Sequence, residues 1–153
     1  MENNKNLLMA RDYLRQAYKR QSDAQNFLDH YDYDKSIRES QESIEISIKA
    51  IFYAFGEVPP KDHKFTEENF EKLLNKIPIE LNIRTQDFIK PYLYSKFWGT
   101  FYTIAKYGLE KLKVGPGFLF GDNEAKLALQ HALFCDSIAS TAVNVYGPKI
   151  YKK

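Results

Sequence analysis

Three histidines, one cysteine and a few carboxylate pairs are the side chains from which this chain could assemble a reactive centre. His30, His63 and His131 stand apart, with no His-Glu-x-x-His pair and no second ligand at helical spacing, so the residues predict no metal site. Cys135 is the sole cysteine, which rules out an internal disulfide and a thiolate zinc cluster. It falls on an apolar helical face, where a cysteine serves as a small packing residue. There is no Gly-x-Ser-x-Gly elbow to expose a nucleophilic serine. Glu67-Glu68 and Asp32/Asp34 occur where helices are expected to start, and capping accounts for them. The glycine-containing stretch at 114–121, V-G-P-G-F-L-F-G, is short for a phosphate loop and lacks the Lys-Ser/Thr ending. No cofactor is implied.

The elements that must position any site are long helices. Leu7, Ala10, Leu14, Ala17, Gln21, Ala24 and Leu28 recur at steps of three and four, predicting a helix over about 5–29. Residues 30–34, H-Y-D-Y-D, form a turn, and a second helix runs to about Phe55 with Ile37, Ile44, Ile48, Ile51 and Phe55 inward. Ser40 and Ser47 let a neighbour approach this helix closely. At 100° per residue, Arg38, Glu42, Glu45 and Lys49 project together on another side. Gly56 suits a left-handed helix end, and Pro59-Pro60 prevent resumption. Thr66 is expected to cap a third helix over 67–76, with Phe70, Leu73 and Leu74 inward and Pro78 ending it. Thr85 is expected to cap a fourth reaching about Tyr107, kinked at Pro91, with Phe88, Phe97, Phe101 and Ile104 buried and Tyr92, Tyr94, Trp98 and Tyr102 flanking. Such aromatics can stack nucleobases, or simply build a core or dimer surface. Asp122 is expected to cap the last helix, inward at Ala125, Ala128, Leu129, Ala132, Cys135, Ala139, Ala142 and Val143. Gly147-Pro148 is expected to stop it, leaving a lysine-rich tail that frays.

These 153 residues suit one domain, 1–153 with a core at about 5–147, folded as an all-α antiparallel up-and-down bundle of about five helices. The 22 basic and 20 acidic residues leave a net charge of +2, which generates no broad positive field for indiscriminate nucleic-acid binding. A local basic patch remains compatible with that balance. The polar start M-E-N-N-K lacks a signal-peptide core, and no stretch approaches the roughly 20 apolar residues a membrane span requires, so a cytoplasmic location is expected.

Residues 31–52, followed by Gly56, Pro59-Pro60 and His63, resemble the HEPN domain. Gln41, Glu45, Lys49, Ala50, Gly56, Pro60 and His63 occupy the places of that family's pattern, and Ala10, Tyr13-Leu14 and Ala17 fit its opening helix. Residues 101–108, F-Y-T-I-A-K-Y-G, are similar to its aromatic segment, and the alanine-rich last helix to its closing one. The order and spacing of these degenerate motifs carry the resemblance over almost the whole chain.

The resemblance implies a helical bundle that commonly dimerises, and two kinds of function. Some members bind nucleotides or assist a minimal nucleotidyltransferase partner, often as a toxin–antitoxin pair. Others are metal-independent RNases using an Arg and a His four to six residues apart, a base and a fixed cation beside one phosphate. No Arg precedes a His at that interval here; Lys126 and His131, with four residues between them, are the nearest pair, and Lys lacks the forked geometry of Arg. The expectation is therefore a homodimeric, non-catalytic HEPN-like module that binds a nucleotide or RNA beside a nucleotidyltransferase-type protein. An RNase toxin using Lys126/His131 and a purely structural dimerisation protein are the alternatives. In the family picture Arg38, Lys49, His63 and Lys106 supply positive charge to a ligand and Tyr107 a stacking ring. Glu45/Lys49 equally suit a structural ion pair, His63 a loop-anchoring hydrogen bond, and Lys106 and Tyr107 a helix end.

Overall fold

The three-and-four spacing of the opening segment is realised as α1 (Glu2–Asp29), which turns back at Tyr31, a non-glycine residue at φ 64°, into α2 (Tyr33–Ala54). The computed structural model describes residues 2–62 and 64–151, without the side chains of residues 2–4. Ala10, Ala17 and Ala24 are fully buried on α1, seven residues apart, and meet a row of buried serines on α2. Ser36 Oγ donates to the Ala24 carbonyl and Ser43 Oγ to the Ala17 carbonyl, each at 2.8 Å. The opposite residue order of these bonds makes the pair antiparallel. Small side chains bring the helices close enough for a hydroxyl to reach the neighbouring backbone, which satisfies polar groups that burial would otherwise penalise.

Helix α2 is the centre of the molecule, packing on α1, on α4 (Gln86–Tyr107) and on α5 (Asp122–Thr141). Its Ile37, Ile44, Ile48, Ile51 and Phe52 form the core with Ala125, Ala128, Ala132, Cys135 and Ala139. Gly56 ends the helix region at φ 79°, as expected of a residue without Cβ. The short α3 (Glu67–Asn75) starts with a reciprocal cap: the Asn69 N–H donates to Thr66 Oγ1 at 3.2 Å and the Thr66 N–H to Asn69 Oδ1 at 3.0 Å. Among the described residues there is no strand, only one bridge between Leu109 and Val114. The chain is thus all-α, with five main helices among the described residues, as the periodicities predict, and a short closing one that they do not. No helix among the described residues is long and apolar enough to cross a membrane.

Several expectations are corrected. Thr85 is itself helical in conformation and makes no side-chain cap bond. Gly121, not Asp122, precedes the first turn of α5, and Asp122 pairs with Lys126 at 2.7 Å. Gly147-Pro148 do not stop the chain. A wide π-type turn at Ala142–Tyr146 shifts the hydrogen-bond pattern, and Pro148 falls in the first turn of α6 (Gly147–Tyr151), where a missing N–H is tolerated. Gly147 is buried there, packed so that a Cβ would stand 2.9 Å from Leu7 Cδ1. The expected frayed end is docked through Tyr151, whose hydroxyl donates to the Tyr53 carbonyl at 2.8 Å; Lys152 and Lys153 lie outside the described residues. In α4 the buried face is Phe88, Pro91, Ser95, Trp98 and Ala105, whereas Phe97 is 46% exposed and Phe101 and Ile104 are half-buried. The small Ser95, whose carbonyl accepts from Gln41 of α2, and the buried Ala105 lie on this face, and the aromatic Phe97 is left outside.

Candidate functional site

Helix α4 lies against α2 at Gln41, which is 1% exposed. Its Nε2 donates to the Ser95 carbonyl of α4 at 3.3 Å and to Glu45 Oε1 one turn along α2 at 3.0 Å. Gly99 sits over the same amide, its missing Cβ directed 3.5 Å from Gln41 Nε2, so the floor between the helices stays shallow. Above that floor the helices and the segment before α3 enclose a cleft of about 620 Å³. Glu42 and Glu45 line it from α2, Lys64, Phe65 and Thr66 from the loop, and Ser95, Lys96, Tyr102 and Thr103 from α4.

Local packing fixes these walls. Phe65 is buried with its ring 5.7 Å from Phe52 and 6.1 Å from Phe70, and the Thr66 cap holds the next residue, so Lys64 is presented from an anchored loop. Tyr102 donates its hydroxyl to Glu42 Oε1 at 3.1 Å, tying α4 to α2 across the groove. Burial, then the Glu42 charge, pushes the Tyr102 phenol above its ordinary pKa, so it remains a donor at neutral pH. Arg38, one turn before Glu42, is half-buried with its Nε enclosed and without a hydrogen-bond partner. The α2 wall therefore offers carboxylate acceptors, the rim offers two exposed lysines, and Thr66, Ser95, Tyr102 and Thr103 add hydroxyls. Such a cleft can bind a small molecule carrying an anion at one end and hydrogen-bond donors at the other.

The structure distributes the sequence-predicted residues around this cleft unevenly. Glu45 lines it. Arg38 stands at its Tyr102 end, near enough for its charge to act on that phenol. Glu45 and Lys49, the candidate ion pair, have different neighbours: Glu45 accepts from Gln41, and Lys49 Nζ lies 5.9 Å from the centroid of the Tyr13 ring on α1. Lys106 Nζ rests 5.3 Å over the ring of Tyr107, and Tyr107, 53% exposed, lines a separate shallow pocket with residues 108–112. His63 lies outside the described residues. Lys64 and Lys96 do not stand out as ligand residues in the sequence, and Tyr102 stands out only as one of several aromatics; the glycine at 99, set among them and facing a buried Gln41, is the local sign of a groove there.

Lys126 and His131 do not converge on one point. Lys126 holds Asp122, and that bond raises its pKa. His131 packs on α4, stacked on Tyr94 with centroids 3.8 Å apart and planes 4° apart, while its Nδ1 accepts from Trp98 Nε1 at 3.0 Å. Burial lowers the His131 pKa, so the ring is neutral at pH 7. Cys135 is fully buried, and burial pushes its thiol well up, which keeps it unreactive. Among the described residues no group of three or more His, Cys, Asp or Glu side chains comes together in a way that could hold a metal ion.

The chain resembles the crystal structure of TT1696 from Thermus thermophilus, with a TM-score of 0.62 and 22% sequence identity over 87% of this chain and 97% of that one, a likeness of fold. No curated protein matches it. The family model of the HEPN domain matches residues 10–133, from the first buried turns of α1 through the Trp98–His131 contact on α5, so the chain belongs to the HEPN family.

Proposed function

We propose that this HEPN protein is a non-catalytic, homodimeric module that binds a nucleotide or an RNA end in the α2–α4 cleft and acts beside a nucleotidyltransferase-type protein, in the manner of a toxin–antitoxin pair. The observation that carries the ligand half is the cleft itself. Its volume of about 620 Å³ falls within the range of small-molecule sites, and its lysines and carboxylates suit the phosphate and the donor groups of one nucleotide. Lys64, Lys96 and the nearby Arg38 against Glu42 and Glu45 leave only a small net local charge. That favours a mononucleotide or a single terminal phosphate over an extended polyanion, which needs a row of cations. Absence of an Arg before a His at the spacing of catalytic relatives supports the non-catalytic reading.

Isothermal titration with ribonucleotides and short RNAs tests the proposal: saturable binding below millimolar concentration is expected, and no binding at millimolar ligand sinks it. The RNase alternative is separated by incubating the protein with RNA in EDTA, with His131→Ala as control. Cleavage by the parent chain and not by the variant would establish that alternative instead. Co-purification with a nucleotidyltransferase-type protein expressed from the same transcript tests the partner half.

A further inference from the structure

The two ends of the α2–α4 cleft differ in chemistry. At one end Lys96 leans toward the start of α4, its Nζ 5.4 Å from the centroid of the Tyr92 ring. Tyr92 packs on Phe70 with centroids 4.8 Å apart, and Phe70 meets Phe65 at 6.1 Å, so Lys64, the neighbour of Phe65, belongs to the same end. At the other end Glu42 Oε1 accepts from the Tyr102 hydroxyl at 3.1 Å. Six residues of one helix separate Lys96 from Tyr102, about 9 Å along its axis. Between them Gly99 is exposed and puts no side chain on the floor. Glu45 accepts from the floor amide of Gln41 at 3.0 Å, which leaves Glu42 as the carboxylate at the end away from the lysines.

We infer that the cleft selects guanine over the other bases and that Glu42 is the residue that reads it. The inference rests on the nucleotide reading above and names the base. A carboxylate presents two acceptor oxygens and no donor. The bond from Tyr102 fixes its rotation and occupies one site on Oε1, while Oε2 meets no donor among the described residues. The partner that satisfies both oxygens is a pair of adjacent N–H groups. Guanine carries that pair on its Watson–Crick edge, at N1 and the 2-amino group. Adenine and cytosine each set a ring-nitrogen lone pair beside their amino group, and uracil flanks its one N–H with two carbonyls. Each of these turns a lone pair onto a carboxylate oxygen, and a wrong base at a bidentate contact is discriminated by roughly 10- to 100-fold. Thr103 lines the Tyr102 end and offers a hydroxyl to the neighbouring O6. With the base edge at Glu42 and its plane over Gly99, the ribose runs along the cleft and the phosphates meet Lys64 and Lys96. A guanosine at the end of an RNA presents the same edge.

The test is calorimetric titration of the full chain with GTP, ITP, ATP, CTP and UTP, and of its Glu42→Gln variant with GTP and ATP. The parent is expected to bind GTP at least tenfold more tightly than ATP, CTP or UTP. ITP, which keeps N1–H and lacks the 2-amino group, is expected to fall between GTP and ATP. Glutamine keeps an acceptor for Tyr102 but replaces one acceptor oxygen by a donor, which suits adenine. Glu42→Gln is therefore expected to melt as the parent does and to bring the GTP-to-ATP ratio to about one or below. A short RNA beginning with 5′-phosphoguanosine, compared with GTP, tells an RNA end from a free nucleotide; tight binding of either one supports the guanine reading. Equal affinity for all bases, preference for a base other than guanine, or a guanine preference that Glu42→Gln retains overturns the inference and leaves the nucleotide cleft standing. No binding of any nucleotide at millimolar concentration overturns both. If Glu42→Gln does not fold, the GTP, ITP and ATP series on the parent decides alone.

Discussion

The indole N–H of Trp98 has only a proton to offer, so the His131 nitrogen that meets it at 3.0 Å must be unprotonated. Protonating His131 would leave the indole, on a side chain only 2% exposed, facing a second N–H. Burial lowers the pKa of the folded state, and the bond from Trp98 is made to the same neutral form. The unfolded chain then binds its proton first as pH falls. Stability contributed by neutral His131 is full above its unfolded value of about 6.5 and is lost as pH drops through the lower folded value. A urea-denaturation series from pH 7.5 to 5 is expected to show that loss, and His131→Gln, which keeps an acceptor that does not titrate, to flatten it. His131→Phe is expected to cost about 1–3 kcal/mol at pH 7 by orphaning the indole. Asp136 runs the other way. Its Oδ1 is buried without a partner and burial raises its pKa, so the charged form opposes folding at neutral pH and the opposition fades on acidification. Asp136→Asn is accordingly expected to raise the melting temperature at pH 7 and to have little effect near pH 3.

At the scale of elements, the α1–α2 pair and the loop before α3 decide whether a site exists. Ser43→Leu is expected to cost about 1–3 kcal/mol or more by overpacking, because its hydroxyl reaches the Ala17 backbone in a fully buried seam. Thr66→Ala is expected to cost about 1 kcal/mol through loss of the cap and also to weaken ligand binding, since the same turn presents Lys64 and Phe65 to the cleft. Thermal melts and titrations on one variant read both effects. Helices α1, α2 and α5 were legible in the sequence because their apolar residues form single stripes flanked by polar ones. Helix α4 was legible in its extent but not in its buried face, because aromatic residues surround it: among Phe88, Tyr92, Tyr94, Phe97, Trp98, Phe101 and Tyr102 hydropathy cannot choose. What chose was size. Ser95, Gly99 and Ala105 lie where α4 approaches its neighbours, which turned Trp98 inward and Phe97 outward. The end of α5 was misread for a related reason, since a π-type turn cannot be anticipated from a Gly-Pro pair that ordinarily marks a stop.

For the whole molecule, the site depends on segments far apart in the chain. Glu42, Lys64 and Tyr102 meet only because α4 folds back over α2 and the loop between them is pinned by Phe65 against Phe52 and Phe70. The sequence marks the charged row on α2, whereas Lys64 and Lys96 reach the cleft only through these tertiary contacts. A chain of net charge +2 gains little from long-range attraction, so affinity must come from this local set, and its salt dependence should be shallow compared with that of a multi-phosphate RNA contact. The most direct test is calorimetric titration of the chain and of its Lys64→Ala/Lys96→Ala double variant with a ribonucleoside triphosphate. The account predicts saturable binding by the parent and at least a tenfold, about 1.4 kcal/mol, loss in the variant with no change in melting temperature. Equal affinity in the two, or no heat from either at millimolar ligand, would contradict it.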